Sequence, residues 1–134
     1  MKLHDYFENV KGIGILATAD GEGRVDAAVY ARPHFLEDDD QQVAFIMADR
    51  LSHENLQSNP HAAYLFVEEG DDYAGKRLHL TKLREETDLE KIRAIRRRNV
   101  RPECDGDEAE KRYLVHFQVD SVRPLVGENE ETGH

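Results

Sequence analysis

The segment His61–Glu68, with the sequence HAAYLFVE, constrains the fold more than any other part of the chain. Apolar side chains occupy both alternating sets of positions, so both faces of the strand that the segment predicts are apolar. An apolar face must be covered by other protein. We therefore expect the interior of a barrel or sandwich on one side of this strand, and a helix or a second copy of the chain on the other.

Alternating or apolar segments elsewhere predict five further strands: Ile13–Ala19, Arg24–Phe35, Val43–Met47, Lys76–Leu83 and Tyr113–Val122. Short turns such as Asp20-Gly21-Glu22-Gly23 connect the first three, which are expected to form an antiparallel meander. Six strands with short antiparallel connections and two or three helices predict a mainly β fold with α, a closed or split β-barrel.

Two amphipathic helices are predicted outside the central part of the chain. The apolar stripe of Leu3, Tyr6, Phe7 and Val10 indicates the first, which Gly12 would end in a left-handed conformation. Thr87 followed by Glu90 is typical of a capping box, and predicts a helix that runs to about Asn99.

A site for a phosphate group is predicted in the stretch VAFIMADRLSHENLQSNP, from Val43 to Pro60. It indicates a buried strand, a polar turn with Arg50, and a short helix that Ser52 opens as its N-cap. The first amides of a helix lack carbonyl partners and carry positive polarity, which suits a phosphate dianion. Arg50 adds a planar set of donors. The alternative is that Ser52 only caps the helix and Arg50 is solvated.

The energy of such a site limits the class of ligand. Hydrogen bonds to charged groups are worth about 1.5–3 kcal/mol each, whereas micromolar binding requires about 8 kcal/mol. Two or three phosphate contacts are therefore insufficient, and the ligand must also bury an apolar part. A mononucleotide with an aromatic ring meets this requirement.

Composition excludes several classes of function. The chain has 134 residues and a formal charge of −10, which argues against a nucleic-acid binder or a peripheral membrane protein. No apolar run is long enough to span a bilayer, the N-terminus lacks the apolar core of a signal peptide, and Cys104 is the single cysteine. We expect a cytoplasmic protein without a metal site, consisting of one domain over residues 1–127 and a disordered polar tail over 128–134.

The order of these segments resembles a known family. A short helix, the LATADGEGRV hairpin, the VAFIM strand, the RLSHENLQSNP turn and helix, and the AAYLF and GKRLHL strands follow one another as in the FMN-binding split-barrel proteins related to pyridoxamine 5'-phosphate oxidase. The resemblance covers roughly Leu3 to Arg123. Its most specific part is LSHENLQSNPHAAYLF, where Asn-Leu and then Asn-Pro precede an apolar strand.

This resemblance implies a six-stranded antiparallel split β-barrel that forms a homodimer, with FMN bound at two sites in the subunit interface. It places the FMN phosphate on Arg50 and Ser52, with Leu51 and Asn55 beside them. It also implies that the flavin ring and its surroundings are contacted by Ala31, Arg32, Phe45, Ile46 and Arg77.

The activity implied is that of an FMN-dependent oxidoreductase with a small-molecule redox substrate. The phosphate turn lacks the lysine that many relatives carry, and the end VRPLVGENEETGH lacks the basic segment of the true oxidases, so oxidation of pyridoxamine phosphate is not implied. A deazaflavin in place of FMN, a non-enzymatic flavoprotein, a haem-binding dimer and a split barrel without cofactor remain alternatives. The sequence assigns no catalytic acid or base, no substrate and no electron donor.

Overall fold

A computed structural model describes residues 2–36, 39–98 and 111–127, with the backbone alone at positions 97 and 98. Cys104 and the predicted tail at 128–134 lie outside the described residues. None of the helices in the described part of the chain combines the length and apolarity needed to cross a membrane.

Three helices and six strands follow one another along the described residues. They are α1 (Leu3–Asn9), β1 (Gly12–Ala19), β2 (Val25–Tyr30), β3 (Gln42–Ala48), α2 (Leu51–Ser58), β4 (His61–Glu68), β5 (Gly75–Glu86), α3 (Leu89–Arg98) and β6 (Arg112–Pro124). The strand with apolar side chains on both faces, β4, has the bounds that the sequence predicted. β2 ends at Tyr30, five residues before the predicted end at Phe35.

The six strands form one antiparallel sheet in the order β2-β1-β4-β5-β6-β3. The predicted meander is wrong for β3, which pairs along its whole length with β6, from Gln42 opposite Gln118 to Ala48 opposite Arg112. The chain after β2 meets β3 only at His34, which exchanges two backbone hydrogen bonds of 2.8 Å with Ala44. Pro33 precedes this bridge and has no N–H to extend the ladder. The sheet therefore curls into a half-barrel, which confirms the predicted split β-barrel.

Aromatic and aliphatic side chains fill the inside of the curled sheet. Its fully buried residues include Leu16, Phe45, Met47, Tyr64, Phe66, Leu78, Leu80, Val115 and Phe117. Tyr64 extends across β1 and donates to the Ala31 carbonyl at 3.1 Å. A Cβ at Gly14 would overlap the Tyr64 hydroxyl, so only glycine allows this ring its position.

The helix termini differ from their predicted form. α1 ends at Asn9 with Val10 in an extended conformation, so the predicted left-handed cap at Gly12 is wrong, and Gly12 begins β1. α3 is not capped by Thr87, because the Asp88 carboxylate accepts from the backbone N–H groups of Glu90 at 3.1 Å and Lys91 at 3.2 Å. Asp88 is one residue closer to the first turn and carries a charge that suits a helix N-terminus.

α3 covers the outside of the sheet at one end. Its Ile92 and Ile95 are buried against Ala44 of β3 and Leu114 of β6, with Leu36 and Ile46 at the margin. These residues make a second, smaller apolar core outside the half-barrel.

None of the described helices covers the outside of β2, β1 and β4. The outer apolar face, as we call it, comprises Ile13, Ile15, Ala17, Val25, Ala27, Val29, Ala63, Leu65 and Val67, which share one face by register. Val25 is 82% exposed, Val29 75% and Ile13 60%. The same surface continues onto β5 and β6 with polar residues: Arg77, His79, Ser121 and Arg123.

Candidate functional site

The turn between β3 and α2 is the predicted phosphate corner. Arg50 is the N-cap residue, in an extended conformation with φ −133° and ψ −170°, and its carbonyl accepts the first helical hydrogen bond, from Glu54 N–H at 2.9 Å. The helix begins at Leu51. The backbone N–H groups of Leu51, Ser52 and His53 precede the first helical bond and are therefore the amides that a ligand at this end would meet.

Ser52 does not cap the helix, so the predicted N-cap role is wrong. It is the second residue of α2, is only 4% exposed, and makes no capping bond to Glu54 or Asn55. Its side chain instead lies beside the hydroxyl of Tyr30, at the end of β2. The buried Ser52 hydroxyl therefore has a polar partner in the sheet.

The pKa of the Tyr30 phenol depends on Arg50 and Ser52, the two residues on which the prediction rests. Burial raises the pKa of the Tyr30 phenol and the charge of Asp26 adds to this effect, whereas the Ser52 hydroxyl and the Arg50 guanidinium lower it. The Ser52 hydroxyl and the Arg50 charge thus both lower the pKa of the Tyr30 phenol, although Arg50 is exposed and Ser52 is buried.

Asn55 anchors the helix to the sheet. Its Nδ2 donates to Thr18 Oγ1 of β1 at 3.0 Å, and both side chains are buried. At the end of the same helix, Ser58 Oγ accepts from the Gly21 N–H at 2.9 Å. These two contacts fix the distance between α2 and the β1–β2 hairpin.

A cleft of about 560 Å³ lies between α2 and this hairpin. Leu51 and Asn55 form part of its wall, and most of the charged side chains that line it are acidic: Asp20, Glu22, Asp26 and Glu54, against Arg24 alone among the lining cations. The sequence analysis did not identify this cleft, because the hairpin and the helix are about 30 positions apart in the chain.

The predicted ring contacts after β2, at Ala31 and Arg32, lie beside aromatic residues of β4. The Ala31 carbonyl is occupied by the Tyr64 hydroxyl. The Arg32 guanidinium lies 5.9 Å from the centre of the Phe66 ring, and its buried Nε has no hydrogen-bond partner among the described residues. The side chain of Arg32 is therefore not held by a hydrogen bond at this atom.

Phe45 and Ile46 alternate across β3 and face different cores. Phe45 is buried inside the half-barrel, with its ring centre 6.2 Å from that of Tyr30 and 5.0 Å from that of Tyr64. Ile46 faces outwards and packs beside the α3 cluster. Of these two side chains, that of Phe45 lies inside the half-barrel with Tyr30, and that of Ile46 does not.

Arg77 lies on the outer face of the sheet. It stands in register with Leu65 of β4 and Arg123 of β6, on the opposite face from Thr18 and Asn55. Its Nε donates to the Pro124 carbonyl at 2.8 Å and its Nη2 to the Gly127 carbonyl. One chain alone does not bring Arg77 to the phosphate corner.

His53 is a buried residue of the same helical turn that the sequence analysis did not select. Its Nε2 donates to the Glu85 carboxylate at 3.1 Å, and its ring stacks on Tyr113 with centres 3.8 Å apart and 14° between planes. Burial opposes the ionisation of Glu85, but hydrogen bonds from Lys82, Gln57 and His53 outweigh it and lower the pKa of this carboxyl to about 2. The only local signal was the spacing of His53 and Gln57 on one side of the helix.

Comparison with known proteins identifies the fold. No protein-family profile and no curated protein sequence matches the chain. Among solved structures, it is similar to an FMN-binding protein from Syntrophomonas wolfei, with a TM-score of 0.75 and 14% identity over 96% of this chain and 86% of that one.

Two further structures extend the comparison. A Clostridium acetobutylicum protein related to general stress protein 26, of the pyridoxinephosphate oxidase family, has a TM-score of 0.59 and 18% identity over 90% of this chain and 84% of that one. An F420 reductase has a TM-score of 0.66 and 16% identity over 84% of this chain and 89% of that one. The chain therefore has the split-barrel fold of FMN-binding and pyridoxamine 5'-phosphate oxidase-like proteins.

Proposed function

We propose that the protein is a flavoprotein that binds FMN, with the flavin phosphate at the first turn of α2. The observation that supports this most strongly is that the Ser52 hydroxyl lies beside the Tyr30 hydroxyl and the Arg50 charge also lowers the pKa of that phenol, at the start of an eight-residue helix. Amides without helical partners, a guanidinium and two hydroxyls make a set of donors that matches the oxygens of a phosphate.

The acidic cleft next to this corner favours a ligand with one phosphate. Asp20 and Asp26 of the hairpin and Glu54 of α2 line the cleft between the two, so a second phosphate there would meet carboxylates. A mononucleotide such as FMN is consequently a better match than a dinucleotide. Arg32 is the arginine that precedes Arg50 in the chain, and its buried Nε has no hydrogen-bond partner among the described residues. We propose that it binds polar atoms of the flavin ring.

We further propose that the outer apolar face binds a second copy of the chain. None of the nine positions that define this face carries a charge, although the chain has a formal charge of −10. Two copies of an anionic protein can approach there without placing carboxylates against each other. A two-fold arrangement would also bring Arg77 of one protomer close to the partner protomer. A cofactor site in the interface requires such a contribution from both protomers.

FMN, when bound, supplies hydride and single-electron transfer, and the protein orients the ring and excludes water. We therefore infer an oxidoreductase that acts on a small-molecule redox substrate. The residues of this chain have the roles of binding and positioning: Arg50, Ser52 and Tyr30 towards the phosphate, and Asn55 in holding α2 on the sheet.

Thermal unfolding in the presence of flavins tests the proposal. FMN at about 100 times its dissociation constant stabilises a folded protein by about 2.7 kcal/mol. We expect the melting temperature to rise with FMN at lower concentrations than with riboflavin, which has the same ring and no phosphate. A melting temperature that millimolar FMN leaves unchanged would contradict the proposal.

Sedimentation velocity tests the dimer. Val29→Glu places a charge in the outer apolar face and should shift the protein from dimer to monomer. Leu89→Glu is the matched control, because Leu89 is also exposed, at 57%, but lies on α3 away from that face. A wild-type protein that sediments as a monomer at high concentration would contradict this part of the proposal.

A further inference from the structure

The cleft between α2 and the β1–β2 hairpin contains carboxylates that no cation of the described chain neutralises. Arg24 is already paired with two of them, since its Nε lies 2.8 Å from an Asp20 oxygen and its Nη2 3.2 Å from a Glu22 oxygen. The other two belong to Asp26 of β2 and Glu54 of α2, and they have no ion-pair partner among the residues that the structure describes. Asp26 is half-buried, so its charge is partly shielded from water.

Asn55 adds an uncharged hydrogen-bond acceptor to the wall of this cleft. The residue is only 4% exposed, and its Nδ2 donates to Thr18 Oγ1 at 3.0 Å. Its Oδ1 has no hydrogen-bond partner in the described part of the chain. Because buried amide oxygens in proteins are rarely left without a donor, this atom favours a ligand that carries N–H groups.

The cleft also has the size and the apolar surface for a small organic molecule. Its volume of about 560 Å³ lies within the range of about 300–1,000 Å³ that is typical of ligand pockets. Leu51, the first residue of α2, lines it with a side chain that is 52% exposed. A bare metal ion would leave this side chain in water, whereas an organic cation would cover it.

We propose that this cleft binds an organic ammonium ion. Its N–H groups donate to the Asp26 and Glu54 carboxylates and to Asn55 Oδ1, and its hydrocarbon part lies against Leu51. An ammonium group carries one positive charge and three N–H donors and has no acceptor, so it matches a site whose unpartnered polar atoms are acceptors. The site needs no flavin and goes beyond the proposed function, so each of the two can fail without the other.

Calorimetric titration of the wild-type protein with benzylamine and with benzyl alcohol, at low ionic strength and without flavin, tests this site. The two probes share a ring, and only the amine is charged at neutral pH. Benzylamine should bind about tenfold more tightly, because hydrogen bonds between charged groups are stronger than those of a hydroxyl. Asp26→Asn should weaken benzylamine by about tenfold and the exposed Glu54→Gln by about threefold. Asp72→Asn is the matched control, because it removes an exposed carboxylate from the turn between β4 and β5, outside the cleft lining.

Three results would overturn the proposal. The first is benzylamine that gives no binding heat at millimolar concentration, or that binds no more tightly than benzyl alcohol. The second is an equal loss of affinity in Asp72→Asn and Asp26→Asn, which would mean that the amine responds only to the net charge of the protein. The third is a benzylamine affinity that Glu54→Gln leaves unchanged, and this result decides alone should Asp26→Asn fail to fold.

Discussion

Two neighbouring glutamates at the end of β5 bind two buried histidines in different surroundings. Glu85 binds His53 of α2, and Glu86 binds His116 of β6. The two imidazoles are nearly equally buried, with side chains 7% and 8% exposed. The pKa of both carboxyls is lowered to about 2. For Glu85, burial opposes this shift and hydrogen bonds outweigh it. For Glu86, the hydrogen bond from His116 contributes most.

The surroundings of the two pairs decide what each can do. The Glu86 pair lies next to α3, beside a cleft of only about 40 Å³ and the apolar cluster of Ala44, Ile92, Ile95 and Leu114. The Glu85 pair joins β5 to the first turn of α2, where His53 follows Arg50 and Ser52 in the chain. The Glu85 carboxylate therefore holds α2 through His53, and the Glu86 carboxylate holds α3 through Lys91. Of the two pairs, the Glu85 pair is the one next to the donors of the phosphate corner.

Truncation of the apolar anchor of each helix should have the largest effect. Leu56 of α2 and Ile92 of α3 are 3% and 2% exposed. Leu56→Ala and Ile92→Ala should each lower the free energy of unfolding by about 2–5 kcal/mol, as buried large-to-small changes do. Urea denaturation measures both. Only Leu56→Ala should also weaken FMN binding, and a loss of FMN affinity in Ile92→Ala would remove the distinction between the two helices.

Removal of an arginine near each carboxylate–histidine pair should have the next largest effect. Arg50→Ala should weaken FMN by about 10-fold to 100-fold, since a hydrogen bond to a charged group is worth about 1.5–3 kcal/mol, and should leave riboflavin unchanged. Arg84→Ala is the control, because Arg84 pairs with Glu86 at 2.9 Å. Fluorescence titration measures both variants. Equal losses for FMN and riboflavin in Arg50→Ala would exclude Arg50 from the phosphate.

Tyr30 should contribute less than Arg50. Tyr30→Phe removes one uncharged hydroxyl and should weaken FMN by about 2-fold to 12-fold, which corresponds to about 0.5–1.5 kcal/mol. Tyr73→Phe provides the control in an exposed turn, where Tyr73 is 79% exposed. An FMN affinity that Tyr30→Phe leaves unchanged would show that this hydroxyl serves only Ser52.

Replacement of the two glutamates should have the smallest effect, which concerns the stability of the protein in acid. A carboxyl whose pKa is lowered on folding from 4.5 to about 2 stabilises the protein above pH 4.5 and loses that contribution as the pH falls towards 2. Glu85→Gln and Glu86→Gln should therefore each flatten the fall in unfolding free energy between about pH 4.5 and pH 2. A variant that keeps the wild-type slope would show that its carboxyl is not paired in solution.

Much of the fold could be predicted because its signals are local. Alternation of apolar residues gave β4 its bounds and placed Leu78 and Leu80 of β5 inside the barrel, where both are buried. The pairing of β3 could not be predicted in this way. Its partner β6 is about 70 positions away, and Pro33 interrupts the ladder that a meander would need.

The candidate site was predicted in its residues more than in its geometry. The sequence selected Arg50 and Ser52, and in the structure both influence the pKa of the Tyr30 phenol. The N-cap role of Ser52 was wrong because capping rules consider only the neighbouring backbone, whereas Tyr30 comes from another strand. The contact between His53 and Glu85 joins positions 32 residues apart, and no local pattern indicates it.

The most direct test of the phosphate site is an amide NMR titration of the isotope-labelled wild-type protein with FMN and, in parallel, with riboflavin. The account predicts that the difference between the two ligands is largest at the backbone amides of Leu51, Ser52 and His53, and small at α3. A difference centred elsewhere, or the same shifts with both ligands, would contradict the claim that a flavin phosphate binds at the first turn of α2.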